Sequence, residues 1–306
     1  MTSSSSTKAA FPTAVTRATI EILLAALGFG AISILTVVAT RPGGATLLSV
    51  LAWRYILATI ALIVLTGRVT QLRMPPRRAL AILLLGGGGQ TVIALLALSA
   101  LRFIPAATLG FLFYTFPAWV ALFGIVRRTE RLDVRRAMAL LLALAGIAVM
   151  VGVPSAGSLT GVVMALASAI AYALYIPLLE RLQKGVTPAA ASTYVCVGAS
   201  VILVSIGLVS GAFTTDMSPT AWGAILVLAL ASTSAAFVLF LRGLAVLGPL
   251  HTAIISTVEP FFTAILAAVV LTQPLTTSTV VGGAMVATAV ILLALTRSPA
   301  LTTADQ

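Results

Sequence analysis

The chain has 306 residues, of which 60% are hydrophobic and 8% are charged. A soluble domain carries roughly 25% charged residues and a disordered chain has low hydrophobicity, so both classes are excluded. What remains is a polytopic α-helical membrane protein, in which a net charge of +11 reports on loops and orientation rather than on nucleic acid.

Residues 1–18 are polar, with a Ser/Thr run from Thr2 to Thr7, and read as a cytoplasmic N-terminal tail. The apolar segment that follows is too long for a signal-peptide core and has no clear cleavage site, so it reads as a retained first span. Breaks at Gly, Pro and charge divide the rest into apolar segments. Spans are expected near 19–39, 46–66, 79–99, 104–126, 136–152, 159–180, 188–210, 219–241, 249–271 and 276–296. Residues 297–306 form a cytoplasmic C-terminal tail.

The basic residues alternate with these spans. Lys8, Arg17, Arg68, Arg73, Arg77, Arg78, Arg127, Arg128, Arg131, Arg135, Arg136, Arg181, Lys184, Arg242 and Arg297 fall on one side. Arg41, Arg54 and Arg102 fall on the other. Because Lys and Arg favour cytoplasmic loops, the first side is cytoplasmic and both termini lie there. Trp53, Tyr55 and Trp222 sit at outer span ends, where aromatic residues anchor to the interface. The single Cys196 and single His251 exclude an intrachain disulfide, a cysteine-cluster metal site and a multi-histidine zinc site.

An internal repeat is visible at a shift of 143 residues. Within 100–132 and 243–275, Leu101 meets Leu244, Pro117 meets Pro260, Thr129 meets Thr272 and Leu132 meets Leu275. The same shift lays spans 1–5 on spans 6–10, giving five-helix repeats at 19–152 and 159–296. Five is odd, so the second copy enters the membrane from the opposite side. The expected fold is an all-α membrane protein of ten transmembrane helices in two inverted five-helix repeats. This plan is typical of secondary transporters with a site near the midplane.

These segments resemble the EamA-type group of the drug/metabolite transporter superfamily over nearly all of residues 19–296. The resemblance rests on the Ala100-Leu101 opening of span 4, Pro117 within it, and Thr129-Glu130-Arg131-Leu132 at its end. In the second half it rests on Pro260, with Gln273-Pro274-Leu275 standing in place of the Glu-Arg-Leu ending, and near the N-terminus on Gly28-Phe29-Gly30, with Phe for Trp, and on Arg54. It implies ten spans, cytoplasmic termini, alternating access and export of small metabolites across the bacterial inner membrane. Amino-acid exporters, including those for aromatic amino acids, are the nearest in character.

Of the seven acidic residues, only Glu259 is deep, roughly 15 Å into span 9. Intramembrane acids are functional candidates by default. Glu259 could bind an amino group or a proton, or satisfy backbone groups freed by Pro260. His251, two residues into span 9, could relay protons or be a solvated interfacial histidine. Gly86 to Gly89, followed by Gln90, interrupt span 3, either thinning the helix beside a substrate or packing against a neighbour. Ser232-Thr233-Ser234 is the matching patch in span 8, so Gln90, Ser232 and Ser234 are candidate donors to a central cavity. Tyr114, Trp119, Tyr172 and Tyr175 are candidate aromatic walls, with Phe29 and Phe113 in the same group, or are ordinary packing residues. Pro117, Pro177 and Pro260 are candidate hinges.

No Walker loop, HExxH pair or Gly-x-Ser-x-Gly elbow occurs. The reading is therefore a secondary transporter, not an enzyme, with no cofactor and no bound metal. Its partners are a small-molecule substrate and the lipid bilayer, with proton coupling as an option and a monomer or weak dimer as the assembly. The alternatives are an exporter of another metabolite or drug, and a channel-like facilitator.

Overall fold

Every regular element among the described residues is helical. The physical reason is that backbone N–H and C=O groups in lipid must be satisfied within the chain itself. The computed structural model describes residues 6–41, 44–66, 72–100, 102–130, 132–152 and 158–294. Arg68, Leu101, Arg131, Arg297, the loop at 153–157 and the tail at 297–306 lie outside the described residues.

The helices are α1 (Ser6–Ala39), α2 (Leu47–Thr66), α3 (Pro76–Ala100), α4 (Ala106–Phe113), α5 (Phe116–Val126) and α6 (Val134–Val151). They continue as α7 (Leu159–Leu182), α8 (Pro188–Val209), α9 (Pro219–Ser256), α10 (Glu259–Leu271) and α11 (Thr277–Ala294). Local chemistry sets many of the starts. Asp133, Ser158, Thr187 and Ser218 accept the N–H groups of Arg136, Thr160, Ala190 and Ala221 at 2.8, 3.3, 3.2 and 3.2 Å. These are side-chain caps on otherwise orphaned donors. Pro188 and Pro219 occupy the first helical turn, where the missing N–H costs nothing.

Helix α1 begins at Ser6, well inside the expected polar tail. Polarity governs entry into lipid and does not prevent a helix; the apolar stretch itself runs from Ala14 to Ala39. Among the described residues, eight helical runs are long and apolar enough to cross a membrane, while 259–271 and 277–293 are shorter apolar helices. The difference from the expected segmentation lies in spans 8 and 9. Hydrogen bonding carries α9 through the expected break near Arg242, giving a run of 38 residues. That run would extend about 57 Å, nearly twice a hydrocarbon core of about 30 Å. Gly248 divides it, with φ 74° and ψ 174°, a conformation that glycine adopts without steric penalty.

The chain is then broken at Thr257–Val258, as it is at Tyr114–Thr115. The helix boundaries repeat at a spacing of 143. Ala39 corresponds to Leu182, Thr66 to Val209 and Pro76 to Pro219. Ala106–Phe113 corresponds to Pro249–Ser256, Phe116 to Glu259, and Val134–Val151 to Thr277–Ala294. Helix α3 contains a wide π turn at Ile82–Gly87 and α9 contains one at Leu228–Ala235.

Packing follows the same correspondence. Helix α1 lies against α9 and α10, and α7 lies against α3, α4 and α5. Helix α2 packs on α8, and α6 packs on α11. Adding or subtracting 143 turns each pairing into itself or into its counterpart. The largest core cluster joins Ile22 and Ala25 of α1, Phe116 of α5, Ala173 and Ile176 of α7, and Phe240 and Leu244 of α9. Small residues permit close helix approach where lipid provides no hydrophobic drive. A Cβ on Gly28 would lie 2.8 Å from Ala236 Cβ, and one on Gly146 would lie 2.7 Å from the Gly282 carbonyl.

Candidate functional site

Two broken segments and two long helices meet at the centre of the bundle. The break before α5 leaves Tyr114 at the end of α4, and the break before α10 makes Glu259 the first residue of a helix. A carboxylate there is favoured by the N-terminal end of the helix dipole. Its side chain lies within reach of the Tyr114 hydroxyl and within electrostatic range of Tyr172 and Arg54. Tyr114, Tyr172 and Glu259 are each only partly buried. The sequence-predicted Glu259, Tyr114 and Tyr172 are thus brought together.

An aromatic wall surrounds them. Tyr172 stacks on Phe113 at 5.5 Å between centroids and meets Phe116 edge-on at 4.7 Å. Phe29, the counterpart of Tyr172 at a shift of 143, packs instead on Phe240 at 5.8 Å and Phe237 at 6.4 Å. Helix α1 is tied to α10 beside Glu259, where Thr263 Oγ1 donates to the Gly30 carbonyl at 3.0 Å. Trp119 sits further along α5, its Nε1 donating to Thr115 Oγ1 at 3.3 Å.

Several sequence-predicted residues play other parts. Tyr175 is 3% exposed, and its hydroxyl donates to the Gly86 carbonyl at 2.8 Å. It braces α7 to the π turn of α3. A Cβ on Gly86 would lie 2.7 Å from Val195, one on Gly87 2.6 Å from the Ala199 nitrogen, and one on Gly89 2.8 Å from the Tyr175 ring. These three glycines let α3 sit tightly against α7 and α8, whereas Gly88 has only Ile202 nearby at 3.8 Å. Gln90 is partly buried and lies near the Tyr55 hydroxyl.

Ser234 is buried and its hydroxyl donates to the Ala229 carbonyl at 2.8 Å. Ser232 is fully buried, and its hydroxyl has no hydrogen-bond partner among the described residues. His251 is 3% exposed, not solvated at the interface. The turn at Gly248 directs the short segment 249–256 into the bundle, within range of Arg136 and Asp133 at the start of α6. Pro117 and Pro260 each stand second in the helix that follows a break, and Pro177 lies inside α7.

The sequence reading named Arg54 as a point of family resemblance but not among the candidate site residues. It assigned this residue to an outer span end, but its side chain is 6% exposed within α2. Nε donates to Thr233 Oγ1 at 2.6 Å, and Thr233 donates in turn to the Leu228 carbonyl at 2.8 Å in the π turn. The guanidinium carbon also lies 5.0 Å from the Tyr55 ring centroid. The available signal was its place eight residues into an otherwise apolar helix.

A cavity of about 330 Å³ opens beside Val120, Phe123 and Pro177, at the ends of α5 and α7 and the Gly248 turn. Arg127, Glu130, Glu180, Arg181 and Lys184 line it. Glu180 pairs with Lys184 at 3.5 Å, and Glu130 with Arg136 at 3.8 Å. Burial raises the Glu130 carboxyl above its usual range, opposed by the Arg136 charge and reinforced by Glu180. Among the described residues no group of three His, Cys, Asp or Glu could hold a metal ion.

Comparison with known proteins agrees with this architecture. The profile of the EamA-like transporter family matches residues 17–152 and again 159–295. No curated protein matches the chain. A solved structure titled only as the crystal structure of a protein shares the fold with a TM-score of 0.76 at 19% identity, over 95% of this chain and 99% of that one.

Proposed function

We propose that this chain, which belongs to the EamA-like transporter family, exports small organic metabolites, with amino acids as the leading class and aromatic ones among them. Family membership makes it a multi-pass membrane transporter of small molecules; the substrate class, direction and mechanism are our reading. Transport runs by alternating access across a bacterial inner membrane, with both termini cytoplasmic. Ten spans form two inverted five-span units, the fused run at 219–256 supplying span 8 and the start of span 9.

The observation that carries this reading is the recurrence of helix ends and breaks at a spacing of 143. Discontinuous helices facing each other across two repeats are how secondary transporters build a midplane site. Exchanging which half is open at one face then gives two conformations of similar energy. The aromatic wall of Phe113, Tyr114 and Tyr172 suits a flat apolar side chain, and Glu259 suits an ammonium group or a transported proton. The charged cavity at Arg127, Glu130 and Arg181 serves as the cytoplasmic entrance.

The test is flux in proteoliposomes. Labelled L-phenylalanine should enter saturably and accelerate when unlabelled amino acid is loaded on the far side. Absence of saturable flux for every amino acid tried, with another metabolite carried, would remove the substrate assignment. Conductance without counter-substrate acceleration would instead favour a channel-like facilitator.

A further inference from the structure

We propose that Arg54 is the anchor for a carboxylate on the transported molecule. This deepens the function proposed above and rests on it. A guanidinium inside the hydrocarbon core is costly, and such residues usually face a polar interior or pair with a counter-charge. Arg54 is held within α2 at 6% exposure. Among the described residues no carboxylate oxygen comes within ion-pairing distance of it, the four ion pairs all lying elsewhere.

Its hydrogen bonding is incomplete in a specific way. A guanidinium has five donors in a planar fork. Nε is committed to Thr233 Oγ1 at 2.6 Å, and no acceptor among the described residues takes the terminal nitrogens. Thr233 is itself fixed by its bond to Leu228, and Tyr55 lies alongside the guanidinium. The side chain is thus oriented, with its bidentate end available. A neutral donor would bridge α2 to the π turn of α9 at far smaller desolvation cost, so bracing alone does not account for a charge here.

The placement relative to Glu259 completes the argument. Arg54 is the eighth residue of α2, about 10 Å along that helix, and Glu259 is about 15 Å into the segment beginning at Pro249. With the two spans antiparallel in a core about 30 Å thick, these two depths lie within about 5 Å of each other along the membrane normal. The charges sense each other electrostatically without forming an ion pair. A molecule bearing a carboxylate and an ammonium on one carbon fits between them, its side chain against the aromatic wall. Neither charge recurs in the other repeat, where Val197 and Phe116 stand at the corresponding positions.

The experiment measures binding and counterflow for L-phenylalanine, 3-phenylpropanoate and phenethylamine with wild type, Arg54→Gln and Arg54→Lys. Unfolding temperature in detergent identifies the variants that fold. A folded variant should bind both carboxylate-bearing compounds on the order of 10- to 100-fold more weakly, the range of a charge-assisted hydrogen bond, with phenethylamine undiminished. Arg54→Lys keeps the charge and removes the fork, so it carries the test if Arg54→Gln does not fold. Undiminished carboxylate binding, or equal loss for all three compounds, overturns the assignment. Arg54-dependent binding of 3-phenylpropanoate alone upholds the anchor and removes the amino-acid reading. Failure of both carboxylates to bind wild type overturns both.

Discussion

Substitution of Gly87 and Gly88 by alanine, one at a time, separates a packing role for the glycine run from a role beside the substrate. Both sites lie in the same turn of α3, and both gain about 1 kcal/mol of helix propensity. They differ in what the new methyl group meets. At Gly87 it falls 2.6 Å from the Ala199 nitrogen and the Gly198 Cα, both backbone atoms of α8 that no rotamer change can move. At Gly88 it meets only the far end of Ile202 at 3.8 Å, and the backbone there is already helical, with φ −63° and ψ −45°.

Forced overpacking costs about 1–3 kcal/mol, so Gly87→Ala should be destabilised and Gly88→Ala neutral or slightly stabilised. At about 2 °C per kcal/mol for a chain of this size, the two should differ by roughly 2–6 °C. Apparent unfolding temperatures in one detergent at one scan rate are the appropriate measure, since membrane proteins seldom unfold reversibly. Equal temperatures for the two variants, or the reverse order, would refute the close approach of α3 to α8.

Tyr175→Phe should lower stability by about 1 kcal/mol through loss of the bond to Gly86 while leaving L-phenylalanine affinity unchanged; a change in affinity without a change in stability would place this residue in the binding site instead. Glu259→Gln should weaken L-phenylalanine binding and abolish the pH dependence of transport in flux assays, and unchanged affinity with unchanged pH dependence would mean that this side chain serves the backbone at the break. Burial raises the Glu130 carboxyl, so the folded protein holds this proton more tightly than the unfolded chain. Stability contributed here is therefore present below the ordinary value of 4.5 and is lost as pH rises through the raised value. Glu130→Gln should flatten that fall in a series of unfolding temperatures upward from pH 4; an undiminished slope would assign it to other groups.

The architecture was legible wherever it depends on features the sequence carries twice. Pro117 and Pro260 marked the two broken spans, and the shift of 143 that aligned them also relates the helix ends at Thr66 and Val209. The expected break at 242–248 contains the turn, but helical hydrogen bonding continues through Arg242 at its start, because one arginine at a helix end can reach the interface without stopping the backbone. Gly248, six residues later, is where the backbone turns. The kink in turn explains His251. Counted from a span end it looked interfacial and solvated, but the short segment after Gly248 packs it, 3% exposed, beside Arg136 and Asp133 at the start of α6.

Charge counting misplaced Arg54 because it treats every basic residue as a loop residue. A rule that assigns each basic residue to the nearer membrane face works when the residue is near a face. Arg54 lies about 10 Å along α2, deep enough that its contacts decide its role, and those contacts come from Thr233, 179 residues away. Periodicity could not supply that pairing, because the matching position in the other repeat is Val197. Glu259 was singled out because it is acidic in a segment with no other acid, although its counterpart is Phe116. Depth combined with asymmetry between the repeats is the signal common to both. The duplicated framework supplies two similar halves, and a site that distinguishes the two ends of a small molecule needs residues present in only one of them.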